Sequence, residues 1–131
     1  MLIKSSYANE QRPKGNRILD ANTVLINLPK FIAELKNEQK WEQSDRNVIT
    51  VFKSDTMRMV LIALQKGATM SKHKTDGMLN IQLLEGEVAF VTDEASYTLS
   101  KSMLLALHQG VSHSVIAKEE AIFLLTTALI V

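Results

Sequence analysis

The sequence predicts an all-β domain, an antiparallel sandwich or barrel, on three observations. Short apolar segments recur along residues 47–131. Glycine or acidic turns separate them, as at Gly86, Asp93 and Gly110. A helical pattern is found only ahead of these segments, in residues 28–42. Short strands at regular spacing with turns of this kind are typical of sandwiches and barrels.

Composition limits the classes of function. The 131 residues are 46% hydrophobic and 22% charged, which predicts one globular domain. A net charge of +1 gives no reason to expect a nucleic-acid or anionic-membrane partner. The absence of cysteine excludes disulfides, thiolate metal sites and a cysteine nucleophile. No run approaches the ~20 apolar residues of a membrane helix, so we expect a soluble, cytoplasmic protein.

The polar N-terminus predicts a loosely ordered arm. Residues 1–18 contain a cluster of polar residues, a proline and a glycine, with at most a short strand at residues 1–3. Residues 19–131 then form the single domain. The alternative for the arm is a strand exchanged with a partner subunit.

One amphipathic helix is predicted over residues 28–42. Asn27 offers an N-cap, and Pro29 falls in the first turn, where its missing N–H costs nothing. Apolar residues recur at helical spacing: Leu28, Phe31, Ile32, Leu35 and Trp41. We expect this helix to cover an end or a flank of the sheet.

Eight strands are predicted after the helix, over residues 47–52, 56–64, 78–84, 87–92, 96–99, 103–107, 111–117 and 121–131. The strand over 56–64 is apolar on both faces, so one face should meet the barrel interior and the other the helix or a second subunit. The strand over 121–131 is nearly all apolar and should be buried or paired across a dimer. These faces motivate a homodimer.

Two motifs carry a family resemblance. The run Gly67-x5-His73-x-Thr75, closing at Gly86, resembles the first conserved motif of the cupin family, Gly-x5-His-x-His-x3-4-Glu-x6-Gly. This motif spans about residues 67–86. The spacing between its conserved positions matches the family, whereas several of the residue types at those positions differ.

The second motif of that family is Gly-x5-Pro-x-Gly-x2-His-x3-Asn. Residues 102–117 resemble it through Ser102-x5-His108-x-Gly110-x2-His113-x3-Ala117. The resemblance covers about residues 56–127 and implies a small, single-domain cupin of the RmlC-like type, with an antiparallel jelly-roll β-barrel. It also implies that the two histidine-bearing strands converge inside the barrel.

The resemblance further implies a metal site, which this sequence holds only in part. The first motif's two histidines fall on His73 and Thr75, and its glutamate falls on Leu79. The last histidine is His113. Three imidazoles and a carboxylate would suit a transition metal. With two of these four donors present, we expect a degenerate site without a cofactor; the alternative is a divalent transition metal on His73 and His113.

The strand alternation defines a candidate ligand pocket. Counting back from the turn at Gly86 points Leu79 inward, and a shift of one residue would instead put Asn80 and Gln82 inside. We favour the apolar version. The predicted pocket is His73, Thr75, Leu79, Ile81, Leu83 and His113. His108, in the place of the motif's proline, is expected at the rim, with its role open.

Three functions are compatible with these residues. The one we favour is a binding module that holds a small molecule in the barrel, with His73 and His113 as its polar contacts. The alternative is a metal-dependent enzyme, an oxygenase or isomerase, that uses the same histidines and a non-standard third ligand. The third is a structural or regulatory dimer whose own side chains fill the barrel. The incomplete ligand set disfavours catalysis, and nothing identifies the ligand.

Overall fold

Strands dominate the structure, a computed structural model that describes residues 3–9, 12 and 15–129. The helices are α1 (Leu28–Asn37) and α2 (Gln39–Gln43). The strands are β1 (Lys4–Ser6), β2 (Arg17–Asp20), β3 (Arg46–Lys53), β4 (Met57–Leu64), β5 (Thr69–His73), β6 (Gly77–Glu85), β7 (Glu87–Thr92), β8 (Ser96–Ser100), β9 (Leu104–Leu107), β10 (His113–Ala117) and β11 (Ala121–Leu129). α1 begins as predicted, because Oδ1 of Asn27 accepts a hydrogen bond from the Lys30 amide at 3.1 Å.

Two antiparallel sheets form the barrel. One has the order β5-β10-β7-β8 and the other the order β3-β4-β11-β6-β9. Successive strands from β4 to β11 cross between the sheets or turn back within one of them, as in a jelly roll. The inner faces meet in the barrel core: Ile62, Leu64, Ala68, Leu79, Ile81, Leu83, Val88, Phe90, Leu99, Val115, Ala117, Ala121 and Phe123. The predicted all-β jelly-roll class is confirmed.

The helices cover the outer face of the five-stranded sheet. Their contacts form the helix-side core: Leu35, Trp41, Ile49, Val51, Leu61, Ala63, Ile122 and Leu124. β4 therefore buries Ile62 and Leu64 inside the barrel and Leu61 and Ala63 under the helices. The two apolar faces of β4 are therefore covered by the barrel core and by the helices, as predicted. β11 is paired between β4 and β6 of its own chain, and its first four residues are buried.

The single helix predicted over residues 28–42 is wrong, because it breaks at Glu38. This residue is extended, with φ −81° and ψ 145°, between α1 and α2. Its carboxylate accepts a hydrogen bond from Nδ2 of Asn47 at 2.8 Å and lies 2.9 Å from Nε of Arg12. These two nonlocal contacts hold Glu38 outside the helical conformation.

The N-terminal arm has more structure than the sequence predicted. β1 pairs with β2, and the Arg17 guanidinium donates two hydrogen bonds to the Thr50 carbonyl at 2.7 and 2.9 Å. The strand predicted over residues 1–3 is not found at Ile3, and residues 1 and 2 lie outside the described residues. The domain boundary at residue 18 and the exchange of the arm with a partner stay predictions.

All the predicted strands after the helix are present, but β5 was missed. The last two residues of the strand predicted over 121–131 lie outside the described residues. Four of its five residues are exposed, so the apolar alternation that reveals the other strands is absent there. β5 exists because it pairs with β10 at the edge of its sheet. Within the described ranges, no helix has the length and apolar character needed to cross a bilayer.

Candidate functional site

The predicted polar site residues, His73, Thr75 and His113, lie at one end of the barrel, which we call the mouth. The predicted apolar residues run from there along β6 into the barrel core: Leu79, Ile81 and Leu83. The mouth is formed by the loops at residues 54–56, 74–76, 93–95 and 108–112. These loops are held together in part by a hydrogen bond from the Gly110 amide to the Thr75 carbonyl at 3.1 Å.

Two histidines meet at the mouth. His113 opens β10 and is the direct partner of His73, which ends β5. Their ring centroids are 4.3 Å apart, with an interplanar angle of 60°. His113 is only 2% exposed, whereas His73 is exposed to solvent. A molecule arriving at the mouth would therefore meet His73 first and His113 behind it.

The same hydrogen bond orients both imidazole rings. Nδ1 of His113 lies 2.9 Å from the Val111 carbonyl oxygen, and Nδ1 of His73 lies 2.9 Å from that of Ser71. A carbonyl oxygen can only accept, so each Nδ1 carries the proton. In a neutral ring Nε2 is then the unprotonated acceptor. The site thus presents two Nε2 lone pairs to a hydrogen-bond donor or a metal.

Phe90 supports the buried histidine from below. The two rings stack with centroids 5.2 Å apart and an interplanar angle of 13°, and Phe90 is fully buried. Sequence reasoning missed this residue. Its inward parity on β7 was readable, but its closeness to His113 depends on the pairing of β7 with β10, which places Phe90 directly opposite Val115.

The apolar wall lies where the turn count placed it. Leu79, Ile81 and Leu83 are 2%, 0% and 0% exposed and belong to the barrel core. The alternative register is excluded, because Gln82 is exposed and Asn80 lies with it on the outer face. Solvent does not reach these three side chains, so they form the floor beneath the mouth, whereas His73 is the solvent-accessible histidine of the pair.

Thr75 lines a second part of the mouth. Its hydroxyl donates to the Gly77 carbonyl at 3.1 Å. The cavity beside it has a volume of about 200 Å³ and is lined by Arg58, Thr75, Asp76, Thr127 and Leu129. Sequence reasoning did not select Arg58, although its parity with Val60 and Ile62 on β4 placed it on the inner face.

Solved structures with the same architecture identify the fold of this chain. SPY1581 of Streptococcus pyogenes, a conserved protein of unknown function, has a TM-score of 0.68 and 20% identity, covering 96% of each chain. A cupin superfamily protein of Desulfitobacterium hafniense has a TM-score of 0.63 and 19% identity, covering 65% of this chain and 78% of its own. This chain has the cupin fold. TT1209 of Thermus thermophilus is 30% identical, covering 65% of this chain and 84% of its own, with a TM-score of 0.59.

The cupin fold leaves the chemistry open. Salicylate 1,2-dioxygenase of Pseudaminobacter salicylatoxidans also matches, with a TM-score of 0.59 and 18% identity, over 64% of this chain but only 26% of the dioxygenase. No protein-family model and no curated protein matches the sequence.

The turns of both cupin motifs have the backbone that the motifs require. Gly67, Gly86 and Gly110 have φ of +86°, +78° and +81°, a region that disfavours other residues. Ser102 stands where the second motif has its first glycine, and its φ is also positive, at +73°. The serine therefore keeps the turn of the motif although it changes the residue.

The donors at this mouth do not complete a cupin metal centre. Leu79 occupies the position of the family's glutamate and is buried in the apolar core. His108 is exposed in the loop at the rim and does not join the histidine pair. Within the part of the chain that the structure describes, no three histidine, aspartate or glutamate side chains are placed to hold one ion.

The histidine pair predicts a pH-dependent stability. Burial lowers the pKa of His113 below its ordinary range, the Val111 carbonyl opposes this and the nearby His73 adds to it. The unfolded chain therefore takes up a proton near pH 6.5, before the folded protein does. It follows that the free energy of unfolding falls as the pH drops below about 6.5.

We expect His113→Gln to flatten this dependence, because it removes the titrating group. Urea unfolding of the wild type and the variant at pH 7, 6 and 5 measures the slope. His108→Gln is the matched control, because it replaces an exposed histidine of the same mouth that lies outside the pair. An equal slope in wild type and His113→Gln would contradict the assignment.

Proposed function

We propose that this cupin binds a small molecule at the mouth of its barrel, with Nε2 of His73 and Nε2 of His113 as its polar contacts. The observation that supports it is the hydrogen bonding of the pair. Both Nδ1 atoms are already used by backbone carbonyls, so both acceptor nitrogens are left for a ligand. A fixed pair of acceptors on rigid strands is preorganised for binding.

The surroundings favour a partly apolar ligand that carries a hydrogen-bond donor. Leu107 lies directly opposite Leu79 at the mouth end of the sheet, and it is only partly buried. Met70 and Leu105 are also partly buried against the barrel core. A small hydroxylated molecule could place its O–H on a histidine and its apolar part against these side chains.

Phenol and anisole are matched probes for this proposal, because only phenol carries a donor. We expect phenol to perturb amide signals of residues 73–75 and 113 in an NMR titration, and anisole to bind more weakly. His73→Ala should weaken phenol binding about tenfold, the value of one hydrogen bond. Since His73 is exposed, the variant should keep its fold.

His108→Ala provides the control at the same end of the barrel. It removes a histidine outside the pair, so phenol affinity should stay at the wild-type value. Equal affinities for phenol and anisole, or wild-type affinity in His73→Ala, would refute the proposal.

A metal-dependent cupin enzyme of the oxygenase or isomerase class is the second candidate. One observation favours it: metal-bound histidines commonly donate their other ring N–H to a carbonyl, as both rings do here. The missing donors count against it. Elemental analysis of untagged protein purified without added metal tests it, together with the His73→Ala, His113→Ala double variant. Stoichiometric metal that disappears in the double variant would support the enzyme, and metal-free wild type would oppose it.

We also propose that the protein acts as a homodimer in the cytoplasm. Beyond the helices, the outer face of the five-stranded sheet exposes Met57, Met78 and Leu104, at 38%, 42% and 61%. Met57 and Met78 are both direct partners of Ala128 and so form one row. A flat apolar row can pair with its own copy about a two-fold axis. Sedimentation equilibrium of wild type and Met78→Glu tests this, with a monomeric variant expected and a persistent dimer contradicting the assignment of this face.

A further inference from the structure

The geometry points to an anion subsite in the same mouth, and we propose that Arg58 and Lys53 bind a carboxylate or phosphate group of the small molecule. This inference rests on the proposed function and narrows it to anionic ligands. The subsite is the cavity of about 200 Å³ beside Thr75. Its size suits one small charged group.

The strand register brings Arg58 to this place. Arg58 is the direct partner of Thr127 on β11, and Thr127 is in turn the partner of Leu79 on β6. Directly paired residues of antiparallel strands point to the same face. Leu79 faces the barrel core, so Arg58 and Thr127 also belong to the inner face, at its mouth end.

A second cation lies beside Arg58. Lys53, at the end of β3, is its direct cross-strand partner. Like charges in such positions repel and destabilise a sheet. Several other cations of the chain form ion pairs, as in Lys4–Asp55, Lys36–Glu85 and Lys72–Asp93.

Lys53 and Arg58 differ from these paired cations in the part of the chain that the structure describes. Among the described residues, neither side chain forms an ion pair or a hydrogen bond, and Asp76 lines the same cavity without pairing with Arg58. Arg58 lines the cavity and Lys53 lies beside it on the neighbouring strand. Two adjacent cations that form no ion pair create a local positive potential, which an anion would neutralise.

The donors that an anion would meet in the cavity are the Arg58 guanidinium and the Thr127 hydroxyl. A guanidinium presents a planar fork of donors that matches the two oxygens of a carboxylate or phosphate. The Thr127 side chain makes no hydrogen bond in the described part of the chain, so its hydroxyl proton is available to an anion. The proton of Thr75 is already given to Gly77, which leaves Thr75 only its acceptor capacity.

Lactate, lactamide and inorganic phosphate are the probes. Lactamide has the size and hydroxyl of lactate without its charge. We expect lactate or phosphate to perturb the amide signals of residues 75 and 127 at concentrations of about 1 mM to tens of millimolar, and lactamide to bind at least tenfold more weakly. Arg58→Gln should weaken anion binding about tenfold or more, and Lys53→Gln about threefold.

Arg46→Gln is the matched control, because Arg46 begins β3 at the opposite end of the same sheet. It should bind the anions as the wild type does. A response to lactate alone identifies a carboxylate ligand, and a response to phosphate alone identifies a phosphorylated one; either supports the subsite. Wild-type anion affinity in Arg58→Gln, equal affinity for lactamide, or no response to either anion would overturn it.

The two proposals fail in different ways. If phenol binding depends on His73 while lactate binding ignores Arg58, the anion subsite is wrong and the histidine site stands. If lactate binding depends on Arg58 while phenol binding ignores His73, the anion subsite stands without the histidine contacts. Far-UV circular dichroism of Arg58→Gln excludes unfolding as the cause, and Lys53→Gln provides a second, independent variant.

Discussion

Replacing Phe90 by alanine should lower the free energy of unfolding by about 3–5 kcal/mol, the range for a buried phenylalanine. Phe90 is fully buried in the barrel core and supports the His113 ring from below. Its removal leaves a cavity under the site that the rigid strands fill only in part. For a domain of this size the midpoint of thermal unfolding should fall by about 10–20 °C. Urea and thermal unfolding measure both quantities.

Phe90→Leu separates packing from stacking. Leucine keeps most of the volume, so the loss of stability should be about 1–2 kcal/mol. It removes the flat surface on which His113 rests, so phenol binding should weaken even though the protein is folded. A free energy of unfolding within about 1 kcal/mol of wild type for Phe90→Ala would show that this part of the core is not closely packed.

Gly86→Ala should have the second large effect, lowering the free energy of unfolding by about 3–5 kcal/mol. Gly86 has φ of +78°, which costs an L-residue about 1–2 kcal/mol. An added Cβ would also collide with the backbone carbonyl of Glu120 and lie 2.9 Å from Cα of Ala121. Both contacts are with backbone, so the start of β11 would have to move. Chemical unfolding measures the loss.

Gly67→Ala and Gly110→Ala are the matched controls for this contact. Their φ values are similarly positive, at +86° and +81°, but an added Cβ meets nothing within 4 Å. Each variant should lose only about 1–2 kcal/mol of unfolding free energy, which is what a positive φ costs an L-residue. If Gly86→Ala costs no more than these two, the close approach of the β6–β7 turn to the β10–β11 turn contributes nothing to stability.

The two predictions connect stability to the site. The turn at Gly86 sets the register of β6, and that register directs Leu79, Ile81 and Leu83 into the core. Phe90 stacks against the His113 ring and so supports its position above that core. The mouth of the barrel is therefore built on buried core residues, which hold the histidine pair in place.

Much of the fold follows from local patterns. Short apolar segments identified β3, β4 and β6 to β11, and the glycine or acidic turns between them set their limits. The N-cap at Asn27 located the start of α1. β5 and the break at Glu38 were not predictable in this way. β5 is polar and exists through its partner β10, and Glu38 leaves the helix for contacts with residues distant in sequence.

The candidate site likewise has some features that local sequence predicts and others that depend on the tertiary structure. The sequence by itself determined that the wall beneath the mouth is apolar, because residue identity and strand parity are local properties. The family resemblance added the expectation that His73 and His113 converge and that Thr75 and Leu79 stand at positions of metal donors. Only the tertiary structure decided how close the rings come, which nitrogen of each ring is free, and that Phe90, Lys53 and Arg58 join the mouth. Those facts depend on the pairing of strands distant in sequence, and no local pattern encodes such a distance.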